Sequence, residues 1–241
     1  MGGSSLAFRA REAILQSILE NRFADSRLPP ENELADMLGV SRTTVRSALQ
    51  SLEQHGVLTR SPRRGTLIHG RLSPSMVALQ RLIGFERLLE EQGYTVETIT
   101  TPRLTNAAPL EVIDALGLEK EASIFEIDRL FMASGKPAIW VINYMQADLF
   151  SEPPTDQQLA QSPFDMGDLL TGGPVDNALV ELVPNKATKE VVERLGLKPA
   201  EAYLLLKETH FSQSGTVLGF SLIHVNDHFV RFRLHRGGDG R

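Results

Sequence analysis

The chain has 241 residues, 41% hydrophobic and 23% charged, with a formal net charge of −5 and no cysteine. That composition belongs to folded globular proteins rather than disordered ones, and the length accommodates about two domains. No apolar run approaches the about 18 residues of a membrane span, and the lack of cysteine excludes disulfides and thiolate metal sites and suits a reducing cytoplasm.

The opening Met1-Gly2-Gly3-Ser4-Ser5 has neither the basic region nor the apolar stretch of a secretory signal, and Leu6 stands where a myristoylation motif wants Ser or Thr. Residues 6–22 are predicted as an amphipathic helix, with Ile14, Leu15, Ile18 and Leu19 on one face. After the loop Leu28-Pro29-Pro30, a second helix is predicted over 31–38, closed by Gly39. Ser41 is a fitting N-cap for a third helix from Arg42 to about His55, with Val45, Ala48, Leu49 and Leu52 at helical spacing. Two β-prone runs, Val57–Arg60 and Thr66–Ile68, flank Ser61-Pro62-Arg63-Arg64-Gly65 and read as a hairpin wing.

Charge is unevenly placed. Residues 1–72 carry ten arginines against seven acids, a balance of +3, while the remainder stands at −8. Between Gly39 and Arg71 six arginines meet the single acid Glu53. Phosphate attraction fades over a Debye length of about 8–10 Å, so this segment can bind DNA although the whole chain is acidic. A helix opening on Arg42, Thr43, Thr44 and Arg46 suits the major groove, where arginine bonds guanine through two hydrogen bonds and threonine meets phosphate or a thymine methyl.

The run LPPENELADMLGVSRTTVRSALQSLEQHGVLTRSPRRGTLI resembles the DNA-binding domain of GntR-type regulators over about forty positions. The resemblance implies that Arg42, Thr44, Arg46 and Gly65 sit at the DNA, with Ser41 and Thr43 close by. Arg63 and Arg64 complete the expected contact set at the wing, where Ser61-Pro62-Arg63-Arg64 replaces a glycine-richer tip.

Residues 69–75 (HGRLSPS) mark a connection, giving expected bounds of 1–70 for the winged helix-turn-helix, 71–79 for the linker and 80–241 for a second domain. A helix is predicted over 76–92, closed by Gly93. An internal duplication follows: Glu111–Leu118 (EVIDALGL) pairs with Glu190–Leu197 (EVVERLGL), each leading into two β-prone runs. The runs are 123–133 and 137–146 around Ser134-Gly135, then 202–213 and 216–225 around Ser214-Gly215. Two such helix-hairpin units can share one antiparallel sheet covered by helices, making the fold class α+β. Phe229 to Leu234 is expected to add a strand. This order resembles the UTRA ligand-binding domain of the HutC branch, with local matches at Gly135-Lys136-Pro137, Tyr144 before Ala147–Phe150, and Phe232 with Arg236. The resemblance implies a chorismate-lyase-like fold, a small-molecule effector and pairing of two copies.

Strand alternation puts Phe125, Ile127, Arg129 and Phe131 on one face, so Arg129 projects among apolar residues. A buried guanidinium needs acceptors: either an internal acid, Glu126 or Glu208, or an anionic group of an effector. Val217, Gly219, Ser221 and Ile223 likewise share a face. UTRA domains that bind phosphorylated sugars tend to carry a second arginine and a glutamate where Phe131 and Val141 stand here, so the expected effector is an acid with an apolar body. Phe85, Tyr144, Ser221 and His224 join Arg129 as candidate contacts. His224 and His228 would converge on a metal only from a helix, and the segment reads as a strand, so neither metal nor cofactor is expected. An enzyme lacks a nucleophile-base pair or phosphate loop here, and a purely architectural DNA protein leaves the second domain unexplained. The expected protein is therefore a homodimeric, cytoplasmic transcription regulator, most readily a repressor, that binds a double-stranded operator of two half-sites and has no membrane partner.

Overall fold

Helical periodicity organises the N-terminal region of the chain, in a computed structural model that describes residues 6–54, 56–61, 64–69 and 82–232. Helix α1 (Leu6–Leu19) buries Ala10, Ile14, Leu15 and Ile18. Helix α2 (Glu31–Leu38) follows Pro30 and stops at Gly39, whose φ of 63° lies in the left-handed region that only glycine enters cheaply. Helix α3 (Arg42–Gln54) turns Val45, Ala48, Leu49 and Leu52 inward, all at most 1% exposed. These residues and Leu34 form one core; each Val, Leu or Ile side chain taken wholly out of water contributes about 1.5–3 kcal/mol. Strands β2 (Leu58–Ser61) and β3 (Gly65–Ile68) make the predicted hairpin, with Leu58 opposite Ile68. A two-residue strand β1 (Arg27–Leu28), read from sequence as loop, pairs with the other side of β3. Pro62, Arg63 and the proposed linker 71–79 lie outside the described residues.

Two compact units divide the chain: Met1–Gln80 with Phe232–Arg241, and Arg81–Arg231. The second begins with helix α4 (Phe85–Glu91). The predicted 76–92 helix is thus corrected: 76–81 lie outside the described residues, Leu82 to Gly84 are not helical, and the extended backbone of Gly84 sets the start. Strand β4 (Val96–Thr105), helix α5 (Leu110–Leu116) and strands β5 (Ile124–Ala133) and β6 (Lys136–Gln146) follow. A connection containing the short helix α6 (Asp156–Leu159) leads to a second such series: β7 (Asn177–Lys186), helix α7 (Lys189–Leu195), β8 (Ala202–Phe211) and β9 (Val217–Val225).

All six strands pair antiparallel in the order β4-β5-β6-β9-β8-β7, two three-stranded halves joined along β6 and β9, where Asn143 faces Ser221. The duplicated unit is therefore strand-helix-strand-strand, one strand longer than the sequence suggests. Both additional strands are sheet edges and both contain proline, Pro102 and Pro184, which edge positions tolerate. Phe229 to Phe232 form a turn and irregular chain rather than the expected strand, and the rest of that run and Arg236 lie outside the described residues.

The sheet has two differently covered faces. On one, α5 packs against β9 and α7 against β6, so each half's helix covers the other half's strand. Val112, Ile113 and Leu116 meet Tyr144 and Phe220 there, while Val191 and Leu195 meet Trp140 and Tyr203. On the other, Ile127, Met145 and Leu218 are covered by Phe150, Leu159, Met166 and Leu170 from the β6–β7 connection.

Candidate functional site

Two sites emerge, one in each unit. In the first, the Ser41 hydroxyl accepts from the Thr44 amide at 3.1 Å and lies 2.8 Å from the Thr44 hydroxyl, capping α3. Burial of the Val45–Leu52 stripe leaves Arg42, Thr43, Arg46, Ser47 and Gln50 on the outer face. Thr44 is half-buried; Arg64 and Gly65 are exposed at the wing, with Gly65 at a φ of 75°. Arg63 lies outside the described residues.

Sequence reasoning missed the role of Glu31. The Arg46 Nη2 donates to its carboxylate at 2.9 Å and Nε at 3.3 Å, and Arg60 Nη1 lies 3.9 Å away. Arg60 is chiefly held by Glu53, which accepts from both its Nε and its backbone amide at 2.8 Å. The hydrogen bond from Arg46, against some desolvation, and the charges of Arg46, Arg42 and Arg60 hold the Glu31 carboxyl below its ordinary range. The Glu31 carboxylate at the start of α2 thus bonds Arg46 and lies in the field of Arg42 and Arg60, and it orients the planar guanidinium of Arg46 beside the exposed end of α3.

The second site is a cavity of about 70 Å³ on the sheet face away from α5 and α7. Phe85, Phe131, Val141, Ile223, Pro163 and Phe164 supply its apolar lining, and Phe85 meets Phe131 edge-on at 6.1 Å. Its polar lining includes Arg129, Asn143, Ser221, Glu208 and His210, the first three among the least exposed polar residues described.

Arg129 is 3% exposed and has no acidic partner among the described residues. Its Nη1 donates to Asn143 Oδ1 at 2.5 Å, its Nη2 to the carbonyls of Leu159 (2.7 Å) and Gln161, and its Nε finds no acceptor. Neither acid proposed from sequence bonds Arg129 among the described residues: Glu126 pairs with Arg103 at 2.7 Å, and Glu208 lines the same cavity with His210 Nε2 3.5 Å away. Burial alone pushes the guanidinium down to about 10. It is still charged at neutral pH, in a setting where a missing counter-ion is expensive. Asn143 in turn donates to Ser221 Oγ at 2.6 Å, which runs a polar line across the cavity floor from β5 to β9.

The duplication gives this lining an internal order. Val141 and Ser221 follow the turn glycines Gly135 and Gly215 at the same interval, and their hairpin partners are Arg129 and Glu208. One step along, Ile139 and Gly219 pair with Phe131 and His210. Arginine and glutamate therefore occupy equivalent places in the two halves. A Cβ on Gly219 would stand 3.4 Å from His210 Nδ1 and 3.1 Å from the Tyr144 carbonyl, so the glycine gives the imidazole room.

Of the five effector contacts expected from sequence, Phe85, Arg129 and Ser221 line the cavity, and Tyr144 and His224 do not. Both belong to the helix-covered face. Tyr144 packs under α5 with Val112 and Ile113, where burial raises its hydroxyl above the usual phenol range. His224 stacks on Trp140 at 4.5 Å and takes a 2.9 Å hydrogen bond with the Tyr203 hydroxyl, and burial pushes it down to about 4. His228, by contrast, is largely exposed beside Asp227. Among the described residues no group of three or more His, Asp or Glu can hold a metal ion, and no helix is long and apolar enough to cross a membrane.

Comparison with known proteins joins the two sites. Residues 6–68 match the family of bacterial regulatory proteins called gntR, and residues 91–229 match the UTRA domain. The chain is 31% identical over 193 residues to the HTH-type transcriptional repressor NagR of Bacillus subtilis, covering 80% of this chain and 78% of that one. It is 32% identical over 120 residues to the HTH-type transcriptional regulator GgaR of Escherichia coli, covering 50% and 46%. Among solved structures, the possible transcriptional regulator YydK of Bacillus subtilis superposes with a TM-score of 0.71 at 18% identity, over 97% of this chain and 100% of that one. These relatives are regulators, not enzymes. The chain belongs to the GntR family in its HutC-type arrangement, a DNA-binding transcription regulator whose winged helix-turn-helix is joined to a UTRA effector-binding domain.

Proposed function

We propose that the protein is a homodimeric repressor, acting on DNA in the cytoplasm, that leaves its operator when a small acid enters the UTRA cavity. Its DNA-binding domain spans 1–70, and its effector domain spans 80–241 after the linker 71–79. Ser41, Arg42, Thr43, Thr44 and Arg46 meet one half-site, with Arg63, Arg64 and Gly65 at the wing; the exposed outer face of α3 supports this reading. Repression is supported by the similarity to a protein named as a repressor. Two copies suit an operator of two half-sites about one helical turn apart.

The observation that carries effector control is Arg129, a buried cation lining a cavity, whose hydrogen-bond acceptors among the described residues are all neutral. An anion supplies the missing charge, and Phe85, Phe131 and Ile223 supply the apolar surround for its body. Binding moves the operator equilibrium only by its difference in affinity for the two arrangements of the reading heads. A melting screen of carboxylic acids and phosphate esters tests this. Acids with apolar bodies raise the melting temperature of the full chain and not that of Arg129→Met; equal shifts in both proteins contradict the assignment.

A further inference from the structure

We propose that the cavity selects an ampholyte: a molecule with an anionic group for Arg129 and, beyond an apolar middle, a cationic or N–H-donating group for Glu208. This rests on the effector reading above and goes beyond it by assigning the opposite end of the ligand.

Glu208 is 8% exposed overall and lines the same cavity as Arg129. Its one described ionic neighbour is His210, and that 3.5 Å approach is an ion pair only when the imidazole is cationic. No hydrogen bond joins Glu208 to Arg129 among the described residues, and Arg129 is held instead by Asn143, Leu159 and Gln161. The fold itself keeps the two charges apart. They sit at equivalent places on β5 and β8, the second strand from each edge, with β6 and β9 between them. The floor between them is the Asn143–Ser221 line, and the walls are the apolar residues of both halves.

Two buried groups of opposite charge on one cavity, neither neutralised by the other, are each costly. A ligand that carries both complementary charges relieves both costs, whereas a plain acid relieves one and leaves its tail beside a carboxylate. Glu86 at the exposed rim adds a second carboxylate to the lining, which favours a basic end further. His210 is positioned to hold the Glu208 side chain in place, its ring packed edge-on against Phe164 at 5.5 Å and accommodated by Gly219.

The test is calorimetric titration of the full chain with three matched pairs: aminopentanoate and aminohexanoate with terminal amines, pentanoate and hexanoate, and pentylamine and hexylamine. The amino acids bind about tenfold or more tightly than the acids or amines of equal length, as one additional charged hydrogen bond provides. In Glu208→Gln the amino acids lose that advantage while the plain acids bind as before; in Arg129→Met both weaken. The wild-type comparison decides the matter even if Glu208→Gln fails to fold. Plain acids binding as well as amino acids overturns the ampholyte and leaves the anion reading standing. An unchanged preference in a folded Glu208→Gln does the same. Amines binding best, with Arg129→Met indifferent, overturns the anion reading, and no binding by any of the three pairs contradicts both.

Discussion

Replacing Arg46 by alanine and, separately, Glu31 by glutamine separates base reading from general attraction to phosphate. Arg46 lies on the exposed face of α3, its guanidinium tied to Glu31 at 2.9 Å. If that guanidinium bonds a guanine edge, its loss lowers operator affinity about 5- to 150-fold. Affinity for a scrambled duplex changes little, and the slope of log K against log salt holds. If it merely touches phosphate, both duplexes lose alike and the slope falls by about 0.9. Glu31→Gln has the opposite signature. It removes one negative charge from among Arg42, Arg46 and Arg60, equivalent to about one additional phosphate contact. The slope then steepens by about 0.9, and scrambled DNA binds about eightfold more tightly at 0.1 M salt. The ratio of operator to scrambled affinity falls, because the carboxylate that fixes the plane of Arg46 is gone. Fluorescence anisotropy between about 50 and 200 mM salt, with an operator obtained by selection from random duplexes, reads all of these quantities. Equal loss on both duplexes with a shallower slope in Arg46→Ala refutes base reading by that residue.

Other outcomes follow from the packing. Leu49→Ala empties a fully buried site in the N-terminal core and costs about 2–5 kcal/mol; calorimetry should show an early transition, since each kcal/mol is worth about 4–8 °C in a domain of that size. His224 is held neutral in the fold at about 4. Between its unfolded value of about 6.5 and that point, protons bind the unfolded chain but not the folded one. Stability should therefore fall by about 3 kcal/mol as pH drops through that window, and urea melts of His224→Asn should lose most of that slope. Gly219→Ala drives a Cβ to 3.1 Å from the Tyr144 carbonyl and 3.4 Å from His210; denaturant melts should show a loss of about 1–3 kcal/mol.

The N-terminal unit was almost fully legible because its signals are local: the apolar stripe of α3, the Ser41 cap and Gly39 fix the helices within a few residues. The wide sheet was half legible. Its central strands betray themselves as apolar runs, but β4 and β7 are edges with proline inside and one side in water. Only pairing to β5 and β8 makes them strands. For the cavity, alternation along β5 correctly directed Arg129 and Phe131 to one face. The same rule separates Ser221 from His224, three positions apart on β9, and sets Tyr144 opposite Asn143; listing all as contacts ignored that parity. Glu208, His210 and Asn143 were legible in principle from the duplication, as positions matched to the face of Arg129. The hold of Leu159 and Gln161 on that guanidinium comes from a connection with no pattern to read.

Operator affinity, measured with and without a ligand found by thermal shift, in the wild-type chain and in Arg129→Met, tests effector control most directly. The wild-type chain should lose about 5- to 150-fold in affinity at saturating ligand, and Arg129→Met should bind the operator equally well in both conditions. A ligand that demonstrably fills the cavity yet leaves wild-type operator affinity unmoved contradicts control of DNA binding through this site.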